Sequence, residues 1–168
     1  IDVGAHAFGG CKKLTDISNV HVRNVGRVGF GGCEKLEYVN ITGATIGEKA
    51  FSGCSGLKKI PEKIERIEES AFILCSSLKK INLQEGIEFI GANAFANTGV
   101  TSITIPASVT SIGDSKYSYG NKTYYGEYAF ANMFALQKIE VAKDNENYKS
   151  IDGILYSKDG TKLYVCPD

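Results

Sequence analysis

Cysteine is the residue type in this chain whose spacing could carry chemistry, because thiols form disulfides, bind metals and act as nucleophiles. Four of the five cysteines follow one period, with separations of 22, 21 and 21 residues. This spacing lacks the close Cys-x-x-Cys pairs and companion histidines of zinc sites, so we predict neither a metal nor a cofactor. The four are Cys11, Cys33, Cys54 and Cys75.

The same period argues against disulfides between these cysteines. If it reflects stacked coils, equivalent cysteines lie on the order of 4.8 Å apart along the stack. Parallel Cα–Cβ bonds on successive coils are poorly oriented for the dihedral of about 90° that a disulfide needs. We therefore expect a column of buried thiols that act as small apolar side chains and weak hydrogen-bond donors. The fifth cysteine, Cys166, lies outside this column.

The sequence contains no recognisable catalytic constellation. Its two histidines, His6 and His21, occupy variable positions of the repeat, which is typical of solvated or edge-packed imidazoles. The sequence has no nucleophile elbow, phosphate-binding glycine loop or His-Glu-x-x-His motif. We therefore predict a non-enzymatic protein without catalytic residues.

The cysteines belong to a longer repeat that is centred on phenylalanine. Six phenylalanines recur with separations of 22, 21, 21, 23 and 35 residues, and each follows a small residue. Most repeats also place an aliphatic residue five positions before the phenylalanine and a leucine six positions after it. A unit of this length cannot bury its own core, so copies must stack into a repeat solenoid. The phenylalanines are Phe8, Phe30, Phe51, Phe72, Phe95 and Phe130.

Each coil should contain a short strand and a tighter segment opposite to it. In Leu78–Leu83 and Ile103–Ile105, apolar and polar residues alternate, and the β-branched side chains favour a parallel ladder. Pro61 and Pro106 should end two of these strands, since proline lacks the amide donor of a ladder residue. Segments such as Glu-Ser-Ala-Phe read as single helical turns. We expect a parallel sheet on one face and short helical turns on another.

These motifs resemble those of a known family. The consensus Ile-Gly-x-x-Ala-Phe-x-x-Cys-x-x-Leu-x-x-Ile-x-Ile-Pro is similar to the BspA-like, Treponema-type leucine-rich repeat of bacterial and some protist surface proteins. The segments 90–96 and 100–106 match it closely, and the resemblance covers most of the chain. The resemblance implies a right-handed α/β-type coil in a protein that is exposed at the cell surface or secreted. It also implies that the protein attaches to host matrix proteins or to other cells and catalyses no reaction.

Two segments depart from the regular repeat. Residues 114–128 contain an insertion of about 12 residues that is rich in tyrosine. The tail is similar to a hairpin found between repeats of that family, with Asp159-Gly160 suited to the tight turn. We predict a solenoid of about six coils over residues 1–142, and a C-terminal β-hairpin over residues 143–168 that acts as a cap or as a connector between repeats.

The amino-acid composition argues against nucleic acid and anionic membranes as partners. The chain has 19 basic and 19 acidic residues, so its net charge of zero gives no electrostatic footprint for nucleic acid or an anionic membrane. Its apolar stretches are too short to span a bilayer, and no signal peptide is present. The chain opens in the middle of a coil, so we expect a fragment of a longer protein.

Candidate ligand-binding residues fall on two surfaces. Side chains alternate along a strand, so residues between the inward leucine and isoleucines should point outward. Of these we select Tyr38, Asn40, Lys59, Lys80 and Asn82, and Lys58 and Lys79 extend a modest basic patch. Other predicted outward residues are Asp16, Ser18, Pro61, Ser102, Thr104, Lys138 and Glu140. The second surface is the insertion, with Tyr117, Tyr119, Tyr124 and Tyr125 as candidates and Tyr128 as a fifth tyrosine.

Three functions remain open at this point. The first is binding of extracellular or cell-surface proteins through the strand face, the insertion or both. The second is a carbohydrate-binding module, because tyrosine rings suit both protein contacts and sugar stacking. The third is a structural spacer, in which the insertion tyrosines only cover the core beneath them.

Overall fold

The computed structural model describes residues 1–43, 45–113, 116–119, 122–125, 129–165 and 167, and of residues 116–119 and 122–125 it describes the backbone. Within these residues there are eleven strands and no helix. The strands are β1 (Thr45–Ile46), β2 (Arg66–Ile67), β3 (Phe89–Ile90), β4 (Ser102–Ile105), β5 (Ser111–Ile112), β6 (Lys116–Tyr119), β7 (Lys122–Tyr125), β8 (Lys138–Val141), β9 (Tyr148–Ile151), β10 (Ile154–Ser157) and β11 (Leu163–Val165).

The aliphatic position before each phenylalanine builds a parallel sheet. Its strand order is β1-β2-β3-β5, and each strand pairs in register with the equivalent residues of the next coil. Two single bridges extend this ladder through the first two coils. All of its aliphatic residues are buried, as β-branched side chains in a parallel ladder should be. In order they are Val3, Val25, Ile46, Ile67, Ile90 and Ile112.

The segment after the leucine forms a second ladder that is interrupted. β4 pairs with β8 over four residues, and a single bridge joins Asp16 to Tyr38. The strand predicted over Leu78–Leu83 is wrong: these residues form no strand, and no backbone hydrogen bond in the described chain links them to residues 58–62. Pro61 lacks an N–H and ends the preceding segment there. Pro61 is also buried, which contradicts its predicted outward position.

The predicted helical turns around the phenylalanines are also wrong. In the third coil, Lys49, Phe51 and Gly53 each donate their backbone N–H to a carbonyl of the next coil, at 2.8 to 3.0 Å. The N–H groups between them bond three residues back in their own coil. Lys49 and Gly53 have φ angles of 54° and 71°. A helix would direct every N–H along its own axis, so a chain that bonds alternate N–H groups between coils cannot be helical.

A column of stacked phenylalanine rings forms the centre of the solenoid. Neighbouring ring centroids are 5.0 to 6.3 Å apart and the ring planes are within 14° of parallel. Phe8 is partly buried and the five rings after it are at most 2% exposed. Offset parallel rings at this spacing add a specific attraction to the burial of apolar area. The phenylalanines that define the sequence repeat therefore form the core of the protein.

The cysteine position forms a second column beside the rings. Each buried thiol donates to the carbonyl oxygen of the phenylalanine in the preceding coil, with Sγ–O distances of 3.0 to 3.1 Å. Cys11 is exposed. In the fifth coil Thr98 takes this place and donates to the carbonyl of Phe95 in its own coil. The thiol pairs are Cys33 with Phe8, Cys54 with Phe30 and Cys75 with Phe51.

The C-terminal segment forms an antiparallel sheet of three strands in the order β9-β10-β11, where the sequence predicted two. This sheet packs on the last strand of the solenoid. The N–H of Ile139 in β8 donates to the carbonyl of Gly153 at 2.8 Å, and the hydroxyl of Ser150 donates to the carbonyl of Ile139. Leu155 on β10 is fully buried in the common core.

Two further side chains tie this sheet to the fifth coil. The buried amide of Asn145 donates to the carbonyls of Pro106 and Val109 at 2.8 and 3.1 Å, and its oxygen accepts from two backbone N–H groups. The hydroxyl of Tyr148 accepts from the N–H of Ile112 at 2.8 Å. Ile112 lies at the edge of the four-stranded sheet, so the tyrosine hydroxyl satisfies a backbone donor that pairs with no strand of this sheet.

Candidate binding face

Three shallow grooves adjoin on the face that carries the segment after each leucine. Their volumes are about 300, 240 and 330 Å³ for grooves 1, 2 and 3. Grooves 1 and 2 share Tyr38, and grooves 2 and 3 share Lys59, so the three form a row across successive coils. Groove 1 is lined by Thr15, Asp16, Ser18, Glu37 and Tyr38, groove 2 by Glu37, Tyr38, Lys58 and Lys59, and groove 3 by Lys59, Ile60, Glu62, Lys80, Ile81, Asn82 and Gln84.

This row brings together most of the residues predicted on the strand face. Tyr38 is 37% exposed, and Lys59, Lys80 and Asn82 are exposed as well. Asn40 lines none of the three grooves; it is half-buried, and its amide lies 3.5 Å from the carbonyl oxygen of Ser18 in the preceding coil. The remaining predicted outward residues other than Pro61 are exposed: Asp16, Ser18, Ser102, Thr104, Lys138 and Glu140.

Sequence reasoning missed part of the lining of groove 3. Ile60 and Ile81 were assigned to the interior, and Ile60 is only 8% exposed, yet both form the apolar floor of this groove. Glu62 and Gln84 complete its rim. No signal in the sequence of a single coil reveals this groove, because the groove depends on the missing backbone pairing between residues 58–62 and 79–84.

Ion pairs link neighbouring coils on this protein. In four of them the partners are 21 or 22 residues apart, and their nitrogen–oxygen distances are 2.6 to 3.2 Å. Their side chains are all more than a third exposed, so each pair stabilises the fold only slightly. The pairs are Lys12 with Glu34, Arg23 with Asp2, Arg27 with Glu48, and Lys58 with Glu37.

The basic patch predicted on the third and fourth coils is only partly neutralised. Lys58 pairs with Glu37 at 2.6 Å. Lys79 extends over Gly99 of the next coil, where an added Cβ would meet the lysine side chain. Lys59 and Lys80 form no ion pair within the described residues. Groove 3 therefore has two uncompensated ammonium groups on its rim.

The second predicted surface is a two-stranded hairpin in its described part. β6 and β7 pair antiparallel, with Tyr117 opposite Tyr124, Lys116 opposite Tyr125 and Tyr119 opposite Lys122. The side chains of these residues and the whole of Tyr128 lie outside the described part of the structure. The register places the four candidate tyrosines along one ribbon.

The three buried thiols of the cysteine column are structural groups. Burial raises the pKa of Cys33, of Cys54 to about 12 and of Cys75 further still, so these thiols are protonated at neutral pH. His6 and His21 are exposed. Among the residues that the structure describes, no group of three His, Cys, Asp or Glu side chains could hold a metal ion. Cys166 lies outside those residues.

No helix in the described part of the chain is long and apolar enough to cross a membrane.

Known structures with the same fold come from bacterial leucine-rich repeat proteins. A leucine rich cell surface protein from Faecalibacterium prausnitzii A2-165 matches 99% of this chain with a TM-score of 0.73 and 28% identity. The pneumococcal vaccine antigen PcpA matches 99% with a TM-score of 0.59, and a leucine rich repeat protein of T. pallidum matches 83% with a TM-score of 0.51. These two are each 23% identical to this chain and show likeness of fold alone.

The chain spans 43%, 42% and 51% of the lengths of these three proteins. A comparison with curated proteins found no match. The sequence profile of the BspA type leucine rich repeat region matches residues 1–123 in six copies. The resemblance read from the repeat motifs and the predicted solenoid with parallel strands are thus confirmed. This chain belongs to the BspA-type leucine-rich repeat family.

Proposed function

We propose that this chain is a non-enzymatic protein-binding module of a surface-exposed or secreted bacterial protein, and that it binds host matrix or cell-surface proteins through its row of grooves. The observation that carries this proposal is the continuity of grooves 1 to 3, which share Tyr38 and Lys59. An exposed tyrosine at the centre of a concave, polar row suits a protein contact, because aromatic anchors surrounded by polar groups dominate such interfaces.

The names of the solved relatives support the proposed surface-exposed or secreted location. The Faecalibacterium structure is described as a cell surface protein, and the pneumococcal one as a vaccine antigen. Leucine-rich repeats stack into extended faces that bind proteins, and function on such a scaffold depends on its surface residues. Within this proposal, residues 1–142 form the binding solenoid and residues 143–168 cap it.

Direct binding to immobilised extracellular-matrix proteins tests the proposal. The variant Tyr38→Ala with Lys59→Ala removes the two residues that join the grooves. Its matched control is Phe134→Ala with Lys35→Ala, because Phe134 is 73% exposed and Lys35 is exposed outside the grooves. We expect binding that falls at least about tenfold in the first variant and persists in the control, as for loss of an interface anchor. Binding that survives in both would place the contact elsewhere.

A carbohydrate-binding module on the insertion is the second candidate. The observation that favours it is the register of β6 and β7, which sets Tyr117 directly across from Tyr124. Tyrosine is a residue type whose ring suits sugar stacking. A glycan array with Tyr117→Ser and Tyr124→Ser tests it, and Ser118→Ala with Thr123→Ala, the adjacent pair of the same hairpin, is the control. Absence of binding on both the protein panel and the array would favour a structural spacer.

A further inference from the structure

Groove 3 departs from the charge pattern of the neighbouring coils. Four cross-coil ion pairs place a cation and a carboxylate 21 or 22 residues apart. Lys59 and Lys80 also occupy equivalent positions of adjacent coils, 21 residues apart, but both are cations. Like charges that line the same groove repel, and no described carboxylate forms an ion pair with either lysine. Groove 3 is therefore lined by two cations without a described ion-pair partner and by one carboxylate, that of Glu62.

The same site is concave and has an apolar floor. Its volume is about 330 Å³, and Ile60 and Ile81 line it together with the two lysines. No backbone hydrogen bond in the described chain joins residues 58–62 to residues 79–84, so no ladder closes over this groove. Asn82 and Gln84 add amide groups to the rim, which can both donate and accept hydrogen bonds. Cations, amides and an apolar floor together match a peptide that carries both carboxylates and aliphatic side chains.

We propose that groove 3 binds an acidic peptide segment of the partner protein, with a partner carboxylate between Lys59 and Lys80 and a partner aliphatic side chain over Ile60 and Ile81. This inference rests on the proposed function and specifies the partner's chemistry. A carboxylate between two ammonium groups would relieve their repulsion and form charge-assisted hydrogen bonds. The missing backbone pairing between residues 58–62 and 79–84 leaves room for this segment.

The groove favours a peptide over a dense polyanion such as a sulphated polysaccharide or nucleic acid. Glu62 contributes a carboxylate to the rim and would repel a chain with a charge on every unit. The apolar floor would gain nothing from such a chain, whereas it can bury an aliphatic side chain.

The test is a titration followed by amide chemical shifts of the isotope-labelled chain. The probe is the end-blocked peptide Gly-Glu-Leu-Asp-Glu-Leu-Asp-Gly, and its uncharged counterpart is Gly-Gln-Leu-Asn-Gln-Leu-Asn-Gly. We expect the acidic probe to shift amides of residues 58–62 and 79–84, and the uncharged counterpart to shift them far less. Raising sodium chloride from about 50 to about 500 mM should weaken the acidic probe's binding, because exposed charges are screened.

The chain offers a matched pair of lysines as a control. Lys13 and Lys35 are exposed, occupy equivalent positions of adjacent coils and form no described ion pair, but they line none of the three grooves. We expect Lys59→Gln with Lys80→Gln to weaken the acidic probe about tenfold, and Lys13→Gln with Lys35→Gln to leave it nearly unchanged. Equal weakening in both variants would show unspecific charge attraction and overturn the proposal.

Two other results would also overturn it. The first is that the uncharged peptide shifts residues 58–62 and 79–84 as strongly as the acidic one. The second is that a heparin oligosaccharide shifts these residues while the acidic peptide does not. With either result, the proposed function would still hold if binding to matrix proteins depends on Tyr38 and Lys59. Conversely, shifts from the acidic probe without any binding on the protein panel would support the chemistry of groove 3 and count against the proposed matrix partners.

Discussion

Leu74 combines a left-handed backbone with an exposed apolar side chain. Its φ is 63° and it is 53% exposed. A left-handed conformation costs a residue with a Cβ roughly 1–2 kcal/mol, and glycine and asparagine tolerate it best. The equivalent residues of the other coils are of those two types, so the fourth coil carries strain without compensating burial. They are Gly10, Gly32, Gly53, Asn97 and Asn132.

Replacing this leucine should therefore stabilise the protein. We expect Leu74→Asn to raise the free energy of unfolding by about 0.5–1 kcal/mol, because asparagine adopts positive φ more readily than leucine. Urea denaturation measures the change. The reciprocal substitution Asn97→Leu places leucine at a φ of 56° in the next coil and should destabilise by a similar amount. A neutral result for both would mean that the backbone at this position is not strained.

The thiol column should resist alkylation. Cys33, Cys54 and Cys75 are fully buried and donate to carbonyls, whereas Cys11 is exposed. In a Cys166→Ser background, we expect iodoacetamide at pH 8 to modify Cys11 quickly and the other three only on unfolding. Mass spectrometry of the labelled peptides measures this. Equal rates at Cys11 and Cys54 in the native protein would contradict the buried column.

The same burial predicts a loss of stability at alkaline pH. The pKa of Cys54 rises from 9.0 to about 12 because burial disfavours the thiolate. The folded chain thus keeps a proton that the unfolded chain loses, so stability is full below about pH 9 and falls as the pH rises towards 12. Urea denaturation from pH 8 to 11 should show this fall. Cys54→Ala should show a smaller fall, which separates the thiol from the tyrosines and lysines that titrate in the same range.

At the scale of elements, the phenylalanine column is what turns a short repeat into a folded coil. Phe72 stacks between Phe51 and Phe95 at centroid distances of 5.3 and 5.5 Å and is fully buried. We expect Phe72→Ala to reduce the free energy of unfolding by about 3–5 kcal/mol, because a cavity remains and two stacking contacts are lost. Phe134→Ala, at a 73% exposed position, should change it by less than about 0.5 kcal/mol. Similar melting of the two variants would refute the register of the repeat.

The elements that could be predicted are those whose signal lies within the sequence of a single coil. The inward residues and their register were visible because phenylalanine, cysteine and leucine recur at fixed offsets. The helical turns were predicted wrongly because Ala-Phe segments suit a helix, whereas the N–H groups of Phe51 and Gly53 bond to the next coil instead. The ladder of β1, β2, β3 and β5 was missed as a sheet because strands of two residues are too short to show alternation.

The candidate site could likewise be predicted only in part. Exposure of Tyr38, Lys59, Lys80 and Asn82 follows from strand alternation, so the sequence predicts it. The groove beneath Lys59 and Lys80 does not follow, because it depends on how far two coils separate where the ladder is interrupted. Alternation assigned Pro61 to the surface, but this residue is buried. Distances between coils are a property of the stack and are not encoded in a single repeat.

At the scale of the whole molecule, contacts between neighbouring coils provide the stability of the fold. Each coil of a solenoid contacts only the coils beside it, so local openings at one end need not disturb the centre. At the C-terminal end, the three-stranded sheet covers the last strand through Ile139 and the edge of the four-stranded sheet through Tyr148. The polar contacts of Asn145 connect that sheet to residues 106–109.

Asn145 should therefore control the attachment of the C-terminal sheet without controlling the solenoid. In Asn145→Ala the carbonyls of Pro106 and Val109 lose their buried donor, a change that costs about 1–3 kcal/mol. Hydrogen exchange should then accelerate at residues 145–157, while the amides of Phe51 and Phe72 in the central coils keep their protection. Asn147→Ala, at an exposed position two residues away, should leave exchange unchanged. Faster exchange throughout the chain in Asn145→Ala would mean that the C-terminal sheet and the solenoid unfold as one cooperative unit.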